Sequence, residues 1–255
     1  MSSQSTDIPV LLTSSVVAHD PGVALTDTDE RLQLALESIE QWLKIDPGLP
    51  LVLCDGSSHD FSQLVRQRFP DARIECLAFE NDQEKVRLFG RGYGEGEIVR
   101  HALDHSRFIA TAGCFAKCSS KLWVENFQQC TSDWNQRFLC KGVFLDVFSP
   151  IRKTTFSYID TRFYVASVSF YRQHFENAHL QVGMRNGKAF SLEDCFHDVV
   201  LKDELKGILM RVPPVISGAG GGIGKYYRNT RTRQFKENLR LKLVRMNPAF
   251  RDLFA

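Results

Sequence analysis

Apolar segments alternate with helical patterns through the first half of this sequence, and that alternation limits the fold more than any other feature. Residues 8–15 and 49–54 are apolar runs of the length of a buried strand. Between them Asp27 provides a helix start, and Leu32 and Leu36 begin a repeat with helical spacing. The segment is therefore predicted to form a strand, a helix and a second strand.

The same alternation continues along the chain. Strands alternating with helices favour an α/β fold with a mostly parallel central sheet and helices on both faces. Ligands of such folds bind beyond the carboxyl ends of the strands, where Thr13, Ser14 and Asp55 fall. The pattern predicts further helices over residues 62–69, 97–105 and 165–175 and from Ser191, and further strands over residues 72–79, 141–148, 157–164 and 212–216.

The composition fits a globular protein, with 43% hydrophobic and 24% charged residues in a chain of 255. No apolar run approaches the roughly 18 residues that span a bilayer, and residues 1–8 lack the basic start and apolar stretch of a secretion signal. We therefore expect a cytoplasmic protein. The seven cysteines are odd in number and scattered, without the C-x-x-C spacing of structural zinc sites, so reduced thiols are expected.

A glycine-rich stretch precedes the helix predicted over residues 97–105. Glycine frees backbone amides at a helix start, and such amides bind phosphate. A mobile surface loop that caps the following helix is the alternative interpretation. Neither G-x-G-x-x-G nor a Walker A pattern is present. The stretch reads Gly90-Arg91-Gly92-Tyr93-Gly94-Glu95-Gly96.

Basic and hydroxyl side chains follow within residues 115–123. Lys117, Ser119 and Lys121 are candidates for phosphate contacts, together with Arg91. The glycine-rich stretch and this segment together indicate a nucleotide or nucleotide-sugar site.

A second glycine cluster occupies residues 217–224 and is followed by Lys225 and Tyr227. So many glycines favour a flexible flap, which would order over a bound ligand and bring Lys225 or Tyr227 to its phosphate. A disordered hinge that leads to the C-terminal segment is the alternative.

Positive charge is concentrated near the C-terminus, where residues 225–252 carry nine Lys or Arg against two acidic residues. Residues 234–244 can form a basic helix with Phe235, Leu239 and Leu243 on one side, a pattern suited to an anionic membrane surface. A helix packed onto the protein by that stripe is the alternative. Nucleic-acid binding by the tail is a rival function, disfavoured because the rest of the chain is near neutral.

Two groups of residues in the second half have both a structural and a functional interpretation. Asp160 and Arg162 are two residues apart in a predicted strand, so their side chains share a face, and a salt bridge explains them as well as sugar-hydroxyl binding. Ser191 followed by Asp194 has the spacing of a helix capping box, with Glu193 beside it.

Five segments together resemble one protein family. They are Leu11-Leu12-Thr13-Ser14-Ser15, Glu30-Arg31-Leu32, Leu53-Cys54-Asp55-Gly56-Ser57, Gly92-Tyr93-Gly94-Glu95-Gly96 and Phe115-x-Lys117-x-Ser119-Ser120-Lys121-Leu122. In these segments the chain resembles bacterial glycosyltransferase-like proteins of surface polysaccharide biosynthesis, over roughly residues 8–200.

The resemblance implies a GT-A-like fold and an enzyme that moves a sugar from a nucleotide-sugar donor to a glycan or lipid-linked acceptor at the inner membrane face. It implies a glycosyltransferase domain over residues 1–210, with a nucleotide-binding half over about residues 8–127 and an acceptor half over 128–210. Residues 211–255 would form the glycine-rich flap and the basic helix. No cofactor is expected, since the nucleotide-sugar is a substrate.

The resemblance also implies roles for individual residues. Asp55 and the hydroxyls near Ser14 would hold the nucleoside, and the glycine-rich stretch with Lys117 and Lys121 the phosphates. A carboxylate must take the proton of the attacking hydroxyl if the enzyme inverts the sugar, and GT-A enzymes often place it in a Glu-Asp pair at a helix start. Glu193 is the first candidate and Asp194 the second.

The chain departs from the GT-A pattern because it has no Asp-x-Asp in its middle. That motif supplies oxygen ligands to a divalent cation that neutralises the departing diphosphate. Lys117, Lys121 and Arg91 can offer positive charge directly. We therefore expect transfer without a metal ion. Ser120 and Lys121 stand where the family more often has Gly-Arg, which keeps a cation at this place.

Overall fold

The computed structural model describes residues 8–254, except residues 186, 222, 223 and 228 and the side chains of Lys188 and Lys225. Its strands are β1 (Val10–Ser14), β2 (Leu51–Asp55), β3 (Ile74–Ala78), β4 (Cys114–Ser119), β5 (Leu122–Val124), β6 (Phe138–Leu145), β7 (Thr155–Ser167), β8 (Gly183–Arg185), β9 (Lys188–Phe190), β10 (Ile216–Gly220) and β11 (Lys225–Tyr227). Its helices are α1 (Thr28–Ile45), α2 (Ser62–Arg68), α3 (Gln83–Phe89), α4 (Arg91–His105), α5 (Arg107–Ala112), α6 (Phe127–Thr131), α7 (Val168–His174), α8 (Leu192–Lys202) and α9 (Arg231–Met246).

The central sheet has six strands in the order β3-β2-β1-β4-β7-β6. Strands β3, β2, β1 and β4 run parallel, whereas β7 is antiparallel to both of its neighbours. The chain passes from β1 outward through β2 and β3 and then returns to place β4 on the other side of β1. The strand order therefore reverses between β1 and β4, and such a reversal creates a crevice at the carboxyl ends of the two strands.

Alternate residues of the central strands point to opposite faces of the sheet and pack into two separate hydrophobic cores. Leu11, Val52 and Phe115 pack with α4, α7 and α8 on one face of the sheet. Leu12 and Ala116 point to the other face and pack with α1, α2 and β5. Because both faces are covered by apolar elements, the strands read as continuous hydrophobic runs. The predicted α/β fold with a mostly parallel sheet and helices on both faces is confirmed.

Two helix starts predicted from the sequence, at Asp27 and Ser191, are also confirmed. In both, the capping side chain binds a residue three positions further along the chain. The Asp27 side chain accepts a hydrogen bond from the backbone N–H of Glu30 at the start of α1. At α8, Ser191 and Asp194 form the predicted capping box. Two predicted boundaries are wrong. Strand β7 continues to Ser167, so it includes the first residues of the helix predicted over residues 165–175. Strand β6 begins at Phe138 instead of residue 141.

The glycine-rich stretch is not the predicted turn, because the helix that follows it begins at Arg91 instead of residue 97. Gly90, with φ of +87°, separates α3 from α4, and Gly92, Gly94 and Gly96 lie inside α4. A Cβ on Gly96 would lie 2.1 Å from the Cβ of His179. A Cβ on Gly94 would lie 2.8 Å from Nδ2 of Asn81. These glycines let α4 approach its neighbours closely.

The second glycine cluster is a buried strand over much of its length, so the flap interpretation is wrong for residues 217–220. Strand β10 is the middle strand of a three-stranded sheet in the order β11-β10-β5. Gly218 has φ of +104°, and a Cβ there would lie 2.2 Å from the carbonyl oxygen of Lys121. The backbone N–H of Ala219 donates to that same carbonyl. The glycines therefore hold β10 against the segment that follows β4.

The C-terminal helix predicted over residues 234–244 is present as α9, which begins after an N-cap at Thr230. In the part of the chain that is described, no helix is both long and apolar enough to cross a membrane.

Candidate functional site

A cavity of about 340 Å³ lies at the carboxyl ends of β1 and β4. Thr13 and Ser14 at the end of β1 form one wall, and Ser119 and Lys121 at the end of β4 form another. The first turns of α4 and α8 and the end of β10 complete the lining. The cavity thus occupies the crevice that the reversed strand order creates, and its volume suits a small organic ligand.

Among the described residues, four lysine and arginine side chains line the cavity: Arg31, Arg91, Lys121 and Arg162. The sequence predicted three of them as site residues and missed Arg31. Arg31 is buried and donates from Nε to the carbonyl of Ser15, at 2.9 Å, and from an Nη to the carbonyl of Leu25, at 2.7 Å. It therefore fixes the loop after β1 and adds positive charge to the cavity wall.

Lys121 is buried almost as completely as Arg31, with 8% of its surface exposed against 6% for Arg31. Burial and, to a smaller extent, the charge of Arg31 lower its pKa to about 7, although Asp55 acts in the opposite direction. No carboxylate lies within salt-bridge distance of its ammonium in the described part of the chain. A buried lysine without a paired carboxylate is costly to the fold, and an anionic ligand would relieve that cost.

Asp55 does not reach the cavity, so the role in nucleoside binding predicted for it is not supported. Its side chain is completely buried. One oxygen accepts the backbone N–H of Val16, at 2.9 Å. The other accepts the backbone N–H and the hydroxyl of Ser57 and the backbone N–H of His59. The carboxylate therefore joins the loops that follow β1 and β2 through four hydrogen bonds.

Three buried polar atoms at the cavity have no hydrogen-bond partner among the described residues. They are Oγ of Ser14, Oδ1 of Asn81 and Oγ of Ser120, and all three residues line the cavity. A buried polar atom left unpaired costs about 1–3 kcal/mol. Polar groups without a partner among the described residues are thus concentrated around one cavity.

Lys117 lies in the middle of β4 and is fully buried, so it is not placed to contact a phosphate as predicted. Its Nζ forms a 2.5 Å ion pair with Glu95 and donates to the carbonyl of Thr161 at 2.9 Å. Burial raises the pKa of Glu95, and Glu193 adds to that rise, while Lys117 opposes it. Lys117 thus holds Glu95 at the cavity wall.

Glu193 and Asp194 have different positions. Glu193 lines the cavity and accepts a hydrogen bond from the Thr161 hydroxyl at 3.1 Å. Asp194 accepts the backbone N–H and the hydroxyl of Ser191, at 2.9 and 2.7 Å, within the capping box. The helix cap therefore explains the position of the Asp194 carboxylate. Of the two acidic residues, Glu193 is the one that lines the cavity.

Asp160 and Arg162 form the predicted salt bridge on β7, with Nε of Arg162 2.7 Å from Oδ1 of Asp160. Burial by itself would raise the pKa of Asp160, but the hydrogen bonds and charge of Arg162 outweigh it and lower that pKa. Arg162 lies over the ring of Tyr227, 4.9 Å from its centroid, and both line the cavity. Asp160 thus positions a cation at the site.

Ten of the residues predicted from the sequence line this cavity: Thr13, Ser14, Arg91, Gly94, Glu95, Ser119, Lys121, Arg162, Glu193 and Tyr227. Gly92 packs against Leu192, and the side chain of Lys225 lies outside the described residues. The sequence missed Asn81 and Thr161, which follow no recognisable motif. Asn81 lies three residues after the end of β3, and this position near a strand end was the only signal for it.

A second, polar cleft of about 360 Å³ adjoins the cavity. Arg162 and Tyr227 line both spaces. The ion pair between Lys141 and Glu237 ties α9 to β6 beside the cleft, at 3.2 Å. Carboxamide side chains are frequent in the remaining lining, which includes Asn126, Gln129, Asn229, Gln234 and Asn238.

Among the residues that the structure describes, no three His, Cys, Asp or Glu side chains cluster closely enough to hold a metal ion. The cavity lining combines lysine and arginine side chains with the acidic residues Asp20, Glu95 and Glu193.

Solved structures with a similar fold include galactosyltransferase LgtC in complex with donor and acceptor sugar analogues, with a TM-score of 0.50 and 11% identity over 96% of this chain and 99% of that chain. The bifunctional glycosyltransferase WbbM matches with a TM-score of 0.44 and 10% identity, over 78% of this chain and 38% of WbbM. A 4-diphosphocytidyl-2C-methyl-D-erythritol synthase from Anaerococcus prevotii matches with a TM-score of 0.44 and 7% identity, over 93% and 99% of the two chains.

No protein-family model matches the sequence, and no curated protein matches it significantly. The topology and the similarity to LgtC define a GT-A-like fold, which confirms the predicted fold class.

The buried ammonium of Lys121 predicts a pH-dependent cost to folding. The pKa of Lys121 is about 7 in the folded protein and about 10.4 in the unfolded chain. Between these two pH values the unfolded chain binds more protons than the folded protein, so the free energy of unfolding rises with pH. Lys121→Met keeps the volume and removes the charge. We expect this variant to be more stable than the parent at about pH 6 and the difference to narrow towards about pH 9.

Urea denaturation at several pH values measures this difference. Lys44→Met is the control, because it removes a lysine whose side chain is 59% exposed and whose partner, Glu40, is also at the surface. A constant difference across the pH range, or a less stable Lys121→Met protein at about pH 6, would contradict the account of Lys121.

Proposed function

We propose that this protein is a glycosyltransferase that binds a nucleotide-sugar donor in the cavity at the ends of β1 and β4. The observation that carries the proposal is the convergence of unpaired polar atoms and cationic side chains in one space. Ser14, Asn81 and Ser120 each have a buried polar atom without a partner among the described residues, and the buried Lys121 lines the same cavity. A nucleoside diphosphate offers hydrogen-bonding groups and negative charge in one molecule, which matches both needs.

The phosphates of the donor would lie against Lys121, Arg91 and Arg162. Each of these side chains lines the cavity, and Arg162 is held there by Asp160. Cationic side chains stabilise the charge that develops on a departing diphosphate when they are positioned before the reaction. We therefore propose transfer that does not require a metal ion. The nucleoside would extend towards Ser14 and Asn81, near the loop that Arg31 fixes.

Glu193 would act as the general base. A carboxylate beside the donor can take the proton of the acceptor hydroxyl as that hydroxyl attacks the anomeric carbon and the nucleoside diphosphate leaves. Glu193 faces the cavity, and its one hydrogen bond among the described residues, from Thr161, leaves lone pairs for this role. Glu95 is less suited, because its carboxylate is paired with Lys117.

The acceptor would enter through the adjoining polar cleft. Arg162 and Tyr227 line both spaces, so a chain in the cleft can place a hydroxyl near Glu193. Carboxamide side chains pair readily with sugar hydroxyls because they donate and accept hydrogen bonds. On the basis of the sequence resemblance we further propose a glycan or lipid-linked acceptor of surface polysaccharide biosynthesis, glycosylated on the cytoplasmic side of the membrane.

A nucleotide screen tests donor binding. We expect one of UDP, GDP, CMP or dTDP to raise the melting temperature in the presence of EDTA, because a ligand at 100 times its dissociation constant adds about 2.7 kcal/mol of stability. Lys121→Met should bind that nucleotide at least tenfold more weakly, since it lacks the ammonium.

Each outcome of the screen has a distinct meaning. Stabilisation only with Mn²⁺ would overturn metal independence and leave donor binding intact. No stabilisation by any nucleotide, with or without Mn²⁺, would contradict the proposed function. Equal binding by Lys44→Met and by the parent is the expected control result, because Lys44 is exposed on α1.

Neighbouring substitutions on α8 separate catalysis from stability. Glu193→Gln keeps an oxygen that accepts from Thr161 but cannot take a proton, so we expect about a 100-fold loss of turnover with little change in nucleotide binding. Asp194→Ala breaks the capping box and should cost about 1 kcal/mol of stability while turnover persists.

The assay follows release of the nucleoside diphosphate from the nucleotide-sugar whose base the screen identifies, with water or simple sugars as acceptors, alongside thermal melts of both variants. Full turnover by Glu193→Gln would exclude Glu193 as the base. Loss of turnover in a folded Asp194→Ala protein at assay temperature would mean that Asp194 is needed for the reaction.

A further inference from the structure

The apolar side chains of α9 lie on the surface. Phe235 is 68% exposed and Met246 is 66% exposed, and Leu239 and Leu243 are also exposed. At about 100° per residue, these four side chains fall within an arc of about 80° around the helix. They form a continuous apolar stripe, which we define as Phe235, Leu239, Leu243 and Met246.

The opposite side of α9 faces the protein. Val244 is 1% exposed and belongs to the core on one face of the central sheet. Glu237 pairs with Lys141 on β6. The helix is therefore docked by one side and presents the apolar stripe on the other, so the alternative in which the stripe packs onto the protein is not what the structure shows.

Basic residues border the stripe on both sides. Lys236 lies at one edge, and Arg231 and Lys242 lie at the other edge, by the same helical geometry. All three are exposed. Phe148 enlarges the apolar surface, because it is 50% exposed and lines a shallow depression with Phe235 and Leu239. An anionic membrane has an apolar interior beneath negatively charged headgroups, so an apolar stripe bordered by cations on both sides is complementary to its surface.

We propose that the α9 stripe docks onto the surface of an anionic lipid bilayer. Phe235, Leu239, Leu243 and Met246 enter the boundary between headgroups and acyl chains, and the bordering lysine and arginine side chains contact the anionic headgroups. Nucleic acid would use the basic residues but would leave the stripe in water. The proposal does not depend on sugar transfer, and it places α9, which also walls the polar cleft, next to lipid.

Vesicle sedimentation with the full chain tests the proposal. We expect at least tenfold stronger binding to phosphatidylcholine vesicles that contain phosphatidylglycerol than to phosphatidylcholine alone, and weaker binding at high salt because counterions screen the headgroup charge. The double variant Phe235→Ser and Leu239→Ser should lose at least tenfold of this binding, and Lys236→Glu with Lys242→Glu should lose most of the preference for anionic lipid.

The matched control is Leu201→Ser, which replaces an exposed leucine outside the stripe. Leu201 lies on α8 and is 57% exposed. Its vesicle binding should equal that of the parent. Absence of binding by the parent, equal binding to neutral and anionic vesicles, or parental binding by the Phe235→Ser and Leu239→Ser variant would each overturn the proposal. So would light scattering that shows a dimer abolished by that double variant, since the stripe would then join two copies of the chain.

Discussion

The cavity depends on the buried carboxylate of Asp55. Its two oxygens accept hydrogen bonds from the loop after β1, at Val16, and from the loop after β2, at Ser57 and His59. Hydrogen bonds to a charged group contribute more than neutral ones, about 1.5–3 kcal/mol each. Arg31 extends the same arrangement, because its guanidinium binds the carbonyls of Ser15 and Leu25. Together the two charged groups set the shape of the crevice between β1 and β4.

The crevice that they shape is unfavourable for the protein by itself. Lys121 is buried without a paired carboxylate among the described residues, and polar atoms of Ser14, Asn81 and Ser120 have no partners there. Natural proteins retain such conflicts at functional sites and compensate for them elsewhere in the fold. The extensive apolar packing on both faces of the sheet provides that compensation. A ligand with hydrogen-bonding groups and negative charge would resolve the conflict.

The sequence predicted those features that depend on neighbouring residues. The apolar runs of β1 and β2 and the caps at Asp27 and Ser191 are local, and they were found. Strand ends placed Thr13, Ser14, Ser119 and Lys121 at the cavity, because parallel strands bring their carboxyl ends to one edge of the sheet. The other six predicted residues that line it lie on α4, β7, α8 and β11.

The errors came from contacts between distant parts of the chain. Gly96 is required by His179, far along the sequence, so its purpose is not visible in the local pattern. Lys117 alternates with Cys118 on β4 and shares a face with Phe115, which directs it to Glu95 on α4 instead of to the strand end. Asn81 carries no motif at all. Gly218 and Ala219 likewise lie against the backbone carbonyl of Lys121, which explains why a glycine cluster forms a buried strand.

A crystal structure of the protein with the stabilising nucleoside diphosphate, grown in EDTA, tests the central claim most directly. The account predicts the diphosphate against Lys121, Arg91 and Arg162, with Ser14, Asn81 and Ser120 hydrogen-bonded to the ligand. A nucleotide bound elsewhere, with these three side chains still unpaired, would contradict it.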